Sequence, residues 1–253
     1  AIQRGATELV RARNAMQKLA GHDALTGLSN RTFLLDHFGP LLEAAQRRNE
    51  RVAVVQIDLD EFKQINDTLG HAAGDAVLTR TGERLRTACG DADICARLGG
   101  DEFLLLLSDA GGRTEIGRAV ENLITRLNEP LTHETTTIVP GASAGIAVFP
   151  DDAETTDDLL IHADLALYAA KRNRGSAFAF FSDEMKAELE SSNQLKRDLR
   201  TAVTERAFSV HFQPQISLRN GKISGIEALA RWTHPERGPI PPAEFIPAAE
   251  RAG

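Results

Sequence analysis

Two acidic stretches are the places where this sequence could do chemistry. Asp58-Leu59-Asp60 closes the β-branched run Val52 to Ile57, and Gly99-Gly100-Asp101-Glu102 separates two short apolar runs, Ile94 to Leu98 and Phe103 to Leu107. Hard carboxylates on rigid backbone hold Mg²⁺ when substrate phosphates and water complete its octahedron. Two such ions can activate an attacking hydroxyl and stabilise a leaving phosphate in an in-line displacement. Asp58 and Asp101 lie far apart in the chain, so this chemistry requires a sheet that sets them side by side. Read alone, the second stretch is equally well a solvated turn, because Gly and Asp are ordinary turn residues.

The elements that must position these acids are legible. Ile94 to Leu98 and Phe103 to Leu107 form a tight β-hairpin, with glycines that tolerate positive φ at its tip. The bare backbone there lets a multi-oxygen anionic ligand approach, provided a cation neutralises the acids. Val52 to Ile57 reads as a buried central strand, and acids at its carboxyl end lie where α/β folds place ligands. Phe62-Lys63 opens a helix directly after Asp58, and its free N–H groups and dipole suit an anionic tail. Lys171, within Lys171-Arg172-Asn173-Arg174, offers a point charge to a polyphosphate. Asn66 and Asp75 carry the donor and acceptor groups that read a guanine edge. Each has a plainer reading as well: Asn66 and Asp75 as helix-end residues, Lys171 as a solvated charge at a helix C-terminus.

Around these residues the chain reads as one α/β domain. Phe33 to Gln46 is helical, Phe62 to Leu69 and Asp75 to Ala88 are helices separated by Gly70 and Gly74, and Ile116 to Leu127 has a clean helical face. Thr135 to Val139 and Ala142 to Phe149 read as a strand pair. Thr156 and Asp157 cap a helix to about Lys171, and Phe178 to Phe181 is a closing strand. The sheet leans antiparallel, with helices on its faces. Beyond Ser182, residues 183–206 read as a charged linker helix, and residues 207–253 as the truncated start of something larger, with strands at Val210 to Ile216 and Ile223 to Leu229 and a helix opened by Pro241-Pro242. Residues 1–20 form a helical stalk. Its heptad-like seam (Ile2, Leu9, Met16; Ala12, Leu19) suits either a two-stranded coil or an amphipathic helix on its own domain.

Composition bounds the function. The chain has 253 residues, 42% apolar and 26% charged, with formal net charge -7 and scattered Lys and Arg. That is a globular protein without a nucleic-acid-binding surface, although a nucleotide substrate needs only local charge. Cys89 and Cys95 lack metal-like spacing and point to a reducing cytosol with no disulfide framework. No run approaches a membrane span. The chain begins at Ala1 and reads as an excised cytoplasmic fragment, compatible with a membrane anchor or sensor domain upstream in the parent protein.

Asp23-Ala-Leu-Thr-Gly-Leu-Ser-Asn-Arg, Asp58-Leu-Asp-Glu-Phe-Lys-Gln-Ile-Asn-Asp, Gly70-His-Ala-Ala-Gly-Asp and Arg97-Leu-Gly-Gly-Asp-Glu-Phe closely resemble the GGDEF diguanylate cyclase family over residues 21–182. The resemblance implies a fold akin to nucleotide cyclases and polymerase palms, and condensation of two GTP into cyclic di-GMP by a homodimer with Mg²⁺ or Mn²⁺. It implies that Asp58, Asp101 and the Leu59 carbonyl bind metal. By the same token, Asn66, His71 and Asp75 would contact guanosine, Phe62 and Lys63 the phosphate tail, and Lys171 the terminal phosphates. Asp101 with Glu102 would help deprotonate the 3′-hydroxyl, and Gly99 and Gly100 would let the nucleotide lie against the hairpin. Two departures stand out. The inhibitory Arg-x-x-Asp is here Gly90-Asp-Ala-Asp93, which removes a bidentate partner for product. The family's Gly-Arg after Lys171 is here Arg174-Gly175.

Phe212-Gln213-Pro214-Gln215 and Glu227-Ala-Leu-Ala-Arg231-Trp232 resemble the opening of an EAL domain, a cyclic di-GMP phosphodiesterase with a TIM-like barrel. That implies Glu227 as a metal ligand, with Gln213 and Arg231 touching product. The later catalytic residues are missing, so no phosphodiesterase activity is expected of this chain. Beside the cyclase stand two further readings: a GTP-binding regulatory module for an attached phosphodiesterase, and a structural dimerisation segment.

Overall fold

The computed structural model describes residues 21–172 and 177–250, so the expected stalk at residues 1–20 and the Arg174-Gly175 departure lie outside the described residues. The chain divides into two units at Met185/Lys186.

The first unit is built on a six-stranded sheet of order β1-β3-β4-β2-β7-β8. Its strands are β1 (Ser29–Asn30), β2 (Val52–Asp60), β3 (Ile94–Gly99), β4 (Glu102–Ser108), β7 (Gly141–Phe149) and β8 (Phe178–Phe180). The central pairings β3–β4, β4–β2 and β2–β7 are antiparallel, and β1 and β8 join the edges in parallel. The helices are α1 (Arg31–Arg48), α2 (Phe62–Leu69), α3 (His71–Ala88), α4 (Arg113–Leu127) and α5 (Thr156–Arg172). This is the antiparallel-leaning sheet with helices on its faces that the sequence predicts.

β2 reads as a continuous apolar run because both its faces are covered. Ala53, Val55, Ile57 and Leu59 join Val77 and Leu85 of α3 and Val120 and Ile124 of α4 in one core. The alternate residues face α5: the Gln56 amide donates to Asp164 at 3.1 Å. With period two, Asp58 and Asp60 continue that second face. α5 can lie this close to the sheet because Gly145 of β7 has no side chain. A Cβ there would stand 2.1 Å from the Ala163 carbonyl oxygen and from the Leu167 nitrogen.

Three local expectations are corrected. Residues 136–138 (β6) pair back with β5 (Leu131–His133) and not with the strand that follows. The turn between them is Glu134-Thr135, with Glu134 at φ 52°, and the 142–149 strand pairs with β2 instead. A three-residue strand is too short to show a period. α3 begins at His71, not Asp75, because Gly74 is a buried helix residue where the sequence suggested a break. β1 is a two-residue edge strand with no apolar pattern to announce it.

The second unit holds a three-stranded sheet, β11-β10-β9, made of β9 (Phe208–Ile216), β10 (Ile223–His234) and β11 (Gly238–Ile240), and its described residues form no closed barrel. The helices α6 (Asp183–Thr204) and α7 (Pro242–Glu250) accompany it. Leu195, Leu199 and Ala202 of the expected linker helix are buried in one cluster with Trp232, Ile240 and Phe245.

Candidate functional site

The hairpin turn and the end of β2 are joined by backbone. The Leu59 N–H donates to the Asp101 carbonyl at 3.3 Å, and the β2–β4 register sets Asp58 directly opposite Glu102. The turn itself is only Gly100-Asp101, since Gly99 already pairs with Glu102 across a bulge after Arg97. Gly99 (φ 149°) and Gly100 (φ 53°) both adopt backbone that favours glycine, as the sequence anticipates. Asp58, Asp101 and Glu102 therefore converge at one end of the sheet.

Asp58 and Asp101 line a single cleft of about 760 Å³, together with Leu59, Asp60, Phe62, Lys63 and Lys171. Lys171, from the last turn of α5, forms an ion pair with Asp58 Oδ1. Burial, then the charge of Asp58, raises the Asp101 pKa above the ordinary aspartate value. Glu102 is raised for the same two reasons, with Asp101 and Asp164 adding to the repulsion. Like charges are thus crowded in a partly desolvated place, the situation a bound cation relieves.

The residues present fit a hard divalent cation. Leu59 directs its N–H at the hairpin, and in an antiparallel strand its C=O shares that edge. The donor set is two carboxylates and a main-chain carbonyl. Among the described residues no three His, Cys, Asp or Glu side chains gather into a cage. This suits a site that substrate phosphates and water must complete. Asp60 is used otherwise, accepting a 2.8 Å bond from Ser143 Oγ.

Phe62 and Lys63 open α2 beside the acids, and no side chain caps this helix start. Asn66, His71 and Asp75 sit on α2 and the first turns of α3, outside the lining of that cleft, with His71 and Asp75 exposed. Asn66 lies against Gly74: a Cβ on Gly74 would stand 2.0 Å from Asn66 Oδ1 and 3.2 Å from Phe62 Cζ. Gly74 therefore bears on the candidate site, although in the sequence it reads only as a helix break. Asp23 has a part that no local pattern announces. Its carboxylate accepts from Arg97 at 3.1 and 3.3 Å and from Thr26, while the Arg97 guanidinium also holds the Gly100 carbonyl at 3.0 and 2.7 Å.

In the second unit, Gln213 and Glu227 are exposed cross-strand partners, and Arg231 lies on the same face two pairs along. The Arg231 guanidinium donates to the Ala230 carbonyl at 3.0 Å.

Residues 20–177 match the family described as "Diguanylate cyclase, GGDEF domain". The chain belongs to the GGDEF family. Residues 196–253 match the EAL domain. Among curated relatives, the chain is 40% identical over 248 residues to the bifunctional diguanylate cyclase/cyclic di-GMP phosphodiesterase MucR of Pseudomonas aeruginosa, covering 98% of this chain and 36% of MucR. It is 36% identical to the cyclic di-GMP phosphodiesterase NbdA of the same organism, covering 97% of this chain and 31% of NbdA. The chain thus spans about a third of the length of these relatives. Among solved structures, the GGDEF domain of P. aeruginosa TpbB (YfiN) superposes with TM-score 0.64 at 37% identity, covering 67% of this chain and 99% of that one. The GGDEF fold is the fold of diguanylate cyclases, and its motifs here are those quoted from the sequence. No helix among the described residues is long and apolar enough to cross a membrane.

Proposed function

We propose that residues 21–182 condense two GTP into cyclic di-GMP and pyrophosphate. The observation that carries this reading is the Leu59–Asp101 backbone bond, which brings Asp58, Asp101 and Glu102 to one end of the sheet, where Asp58 and Asp101 line the cleft. Asp58, Asp101 and the Leu59 carbonyl would hold Mg²⁺ or Mn²⁺, which supplies charge neutralisation and acidifies a nearby hydroxyl. Phe62 and Lys63 amides at the start of α2 and the Lys171 ammonium hold the phosphate tail. Asn66, His71 and Asp75 orient guanosine. Asp101, with Glu102, accepts the 3′-hydroxyl proton. As the O3′–Pα bond forms, the bond from Pα to the bridging oxygen breaks, and pyrophosphate leaves with that oxygen.

Each domain holds one GTP, so the bond-forming species is a homodimer, with residues 1–20 and an upstream sensor in the parent protein controlling the encounter. The test is the purified chain with GTP and Mg²⁺, products identified by mass. Cyclic di-GMP should form at a rate rising more than linearly with chain concentration. GTP left unchanged at every concentration, in a chain that has folded, ends the cyclase reading.

A second reading is a catalytically weak GTP-binding module governing an attached phosphodiesterase. It is favoured by the similarity to NbdA, which is named only for the phosphodiesterase, and by the Arg174-Gly175 order. Calorimetric GTP binding without product, even in a chain dimerised by fusion, would select it. The EAL portion has Gln213, Glu227 and Arg231 on one sheet face but only its opening strands, so this chain should not hydrolyse cyclic di-GMP.

A further inference from the structure

β2 ends in two acids on one sheet face, although the metal reading uses only Asp58. With period two, Asp58 and Asp60 both point toward α5, and both line the cleft. β7 supplies their neighbours: Ser143 lies directly opposite Asp58, and Gly141 directly opposite Asp60. Asp58 is paired with the exposed Lys171 ammonium. Asp60 is held differently. Ser143 Oγ reaches diagonally along the strand and donates to Asp60 Oδ1 at 2.8 Å, and Ser143 itself is only 6% exposed. The rest of the Asp60 side chain lies over Gly141, where a Cβ would stand 3.0 Å from Asp60 Oδ2 and 3.0 Å from Asp60 Cβ. A buried hydroxyl and a notch without a side chain thus fix the second acid against β7.

We propose that Ser143 is a positioning residue that pins the Asp60 carboxylate against β7, so that a nucleoside triphosphate in the cleft meets one free acid at the end of β2 instead of two. The inference rests on the GTP reading above, which assigns the phosphate tail to Phe62 and Lys63, just after Asp60 at the start of α2. A carboxylate swung into the cleft there would repel that tail. The pin is firm, because a hydrogen bond to a charged acceptor is among the stronger ones, and a buried hydroxyl that loses its partner carries a desolvation cost. The two acids are therefore sorted by their partners. Lys171 can leave Asp58 for the phosphates when a cation arrives, whereas the buried Ser143 hydroxyl stays on Asp60.

The test titrates 3′-deoxy-GTP, which has no hydroxyl with which to condense, into the chain at saturating Mg²⁺ and reads affinity by calorimetry. Ser143→Ala should bind it about three- to fivefold more weakly than wild type, the size of a screened charge contact at a part-exposed site. Asp60→Asn keeps an acceptor oxygen but not the charge, so S143A/D60N should return to wild-type affinity or better. Gly141→Ala presses the same carboxylate out of its notch with Ser143 in place. It should show a loss of the same sign, again relieved by D60N, and it carries the test if S143A does not fold. Affinity unchanged from wild type in the folded variant would overturn the proposal, because the nucleotide would then not feel Asp60. A loss that D60N leaves in place would overturn it too, since Ser143 would then support the cleft by shape alone. Wild type that ignores the nucleotide would end the GTP reading and this inference together, whereas wild type and S143A that bind equally would end this inference alone.

Discussion

Arg97 of β3 and Asp23, near the start of the first unit, form an ion pair at 3.1 Å in which the side chains are only 12% and 25% exposed. The same guanidinium carries the Gly100 carbonyl at the hairpin tip. Asp23 and the hairpin turn are thus two ends of one bracket, which explains why an acid far from the cleft belongs to the motif. Hydrogen bonds to charged groups contribute about 1.5–3 kcal/mol, so Arg97→Met should lower stability by about 2 kcal/mol. For a domain of this size that is roughly 4–8 °C in Tm. An unchanged calorimetric Tm would show that the bracket is ornamental.

Acid should remove the same bracket. Burial alone would raise the Asp23 pKa, but hydrogen bonds from Thr26 and Arg97 and the Arg97 charge outweigh it, so the net shift is downward. A carboxylate with a depressed folded pKa contributes stability above its unfolded value, about 3.9, and loses it as pH falls through the folded value. The gap in Tm between wild type and Asp23→Asn should be full at neutral pH and close below about pH 4. A gap constant down to acid pH would assign the effect to shape instead of charge.

Asp101 and Glu102 show the opposite sign. Their raised pKa values mean that ionised acids are held at some cost to folding at neutral pH. Without divalent cation, Asp101→Asn should therefore raise stability, and Tm with it, by under about 1 kcal/mol because the site is partly solvent-screened. It should also cut cyclic di-GMP formation by at least about 100-fold. Mg²⁺ should raise the Tm of wild type more than that of the variant, since a ligand stabilises only the state that binds it. Equal turnover in the variant would discard the assignment of Asp101.

How much of this was legible follows a physical division. β2, the hairpin and α4 carry strong periodic signals, and the acids of residues 58, 101 and 102 sit at ends that such elements define. What the sequence hid depended on long-range partners. Asp23 meets Arg97 across 74 positions, and Lys171 meets Asp58 across 113. Gly74 looked like a breaker because glycine ordinarily weakens a helix, and only the packed structure reveals the Asn66 side chain in the space a methyl would fill. The β5–β6 hairpin was too short to register.

Gly74 yields a prediction that separates binding from stability. An alanine methyl would collide with Asn66 Oδ1, the far end of a movable side chain. Gly74→Ala should thus cost little in folding, and the gain in helix propensity, up to about 1 kcal/mol, offsets it. Displacement of Asn66 should instead weaken GTP binding about tenfold, one lost hydrogen bond to a ligand group. Titration calorimetry and a melting curve on the same sample decide the matter. Undiminished GTP affinity would remove Asn66 from the nucleotide site.

Lys171 makes the sharpest use of sign. Its ammonium is paired with Asp58 Oδ1, one of the oxygens proposed to bind metal. The lysine and a divalent cation therefore compete for Asp58, whereas the lysine and the nucleotide phosphates attract. With the Lys171 side chain 38% exposed, the competition is screened and worth about 1 kcal/mol or less. Lys171→Met should raise Mg²⁺ or Mn²⁺ affinity about threefold in the absence of nucleotide, and lower GTP affinity by about the same factor or more. Direct metal titration, followed by GTP titration at saturating metal, reads both signs. A variant in which the two affinities fall together would mean that Lys171 orders the cleft instead of neutralising it, and one in which neither moves would leave the Lys171–Asp58 pair without a part in nucleotide binding.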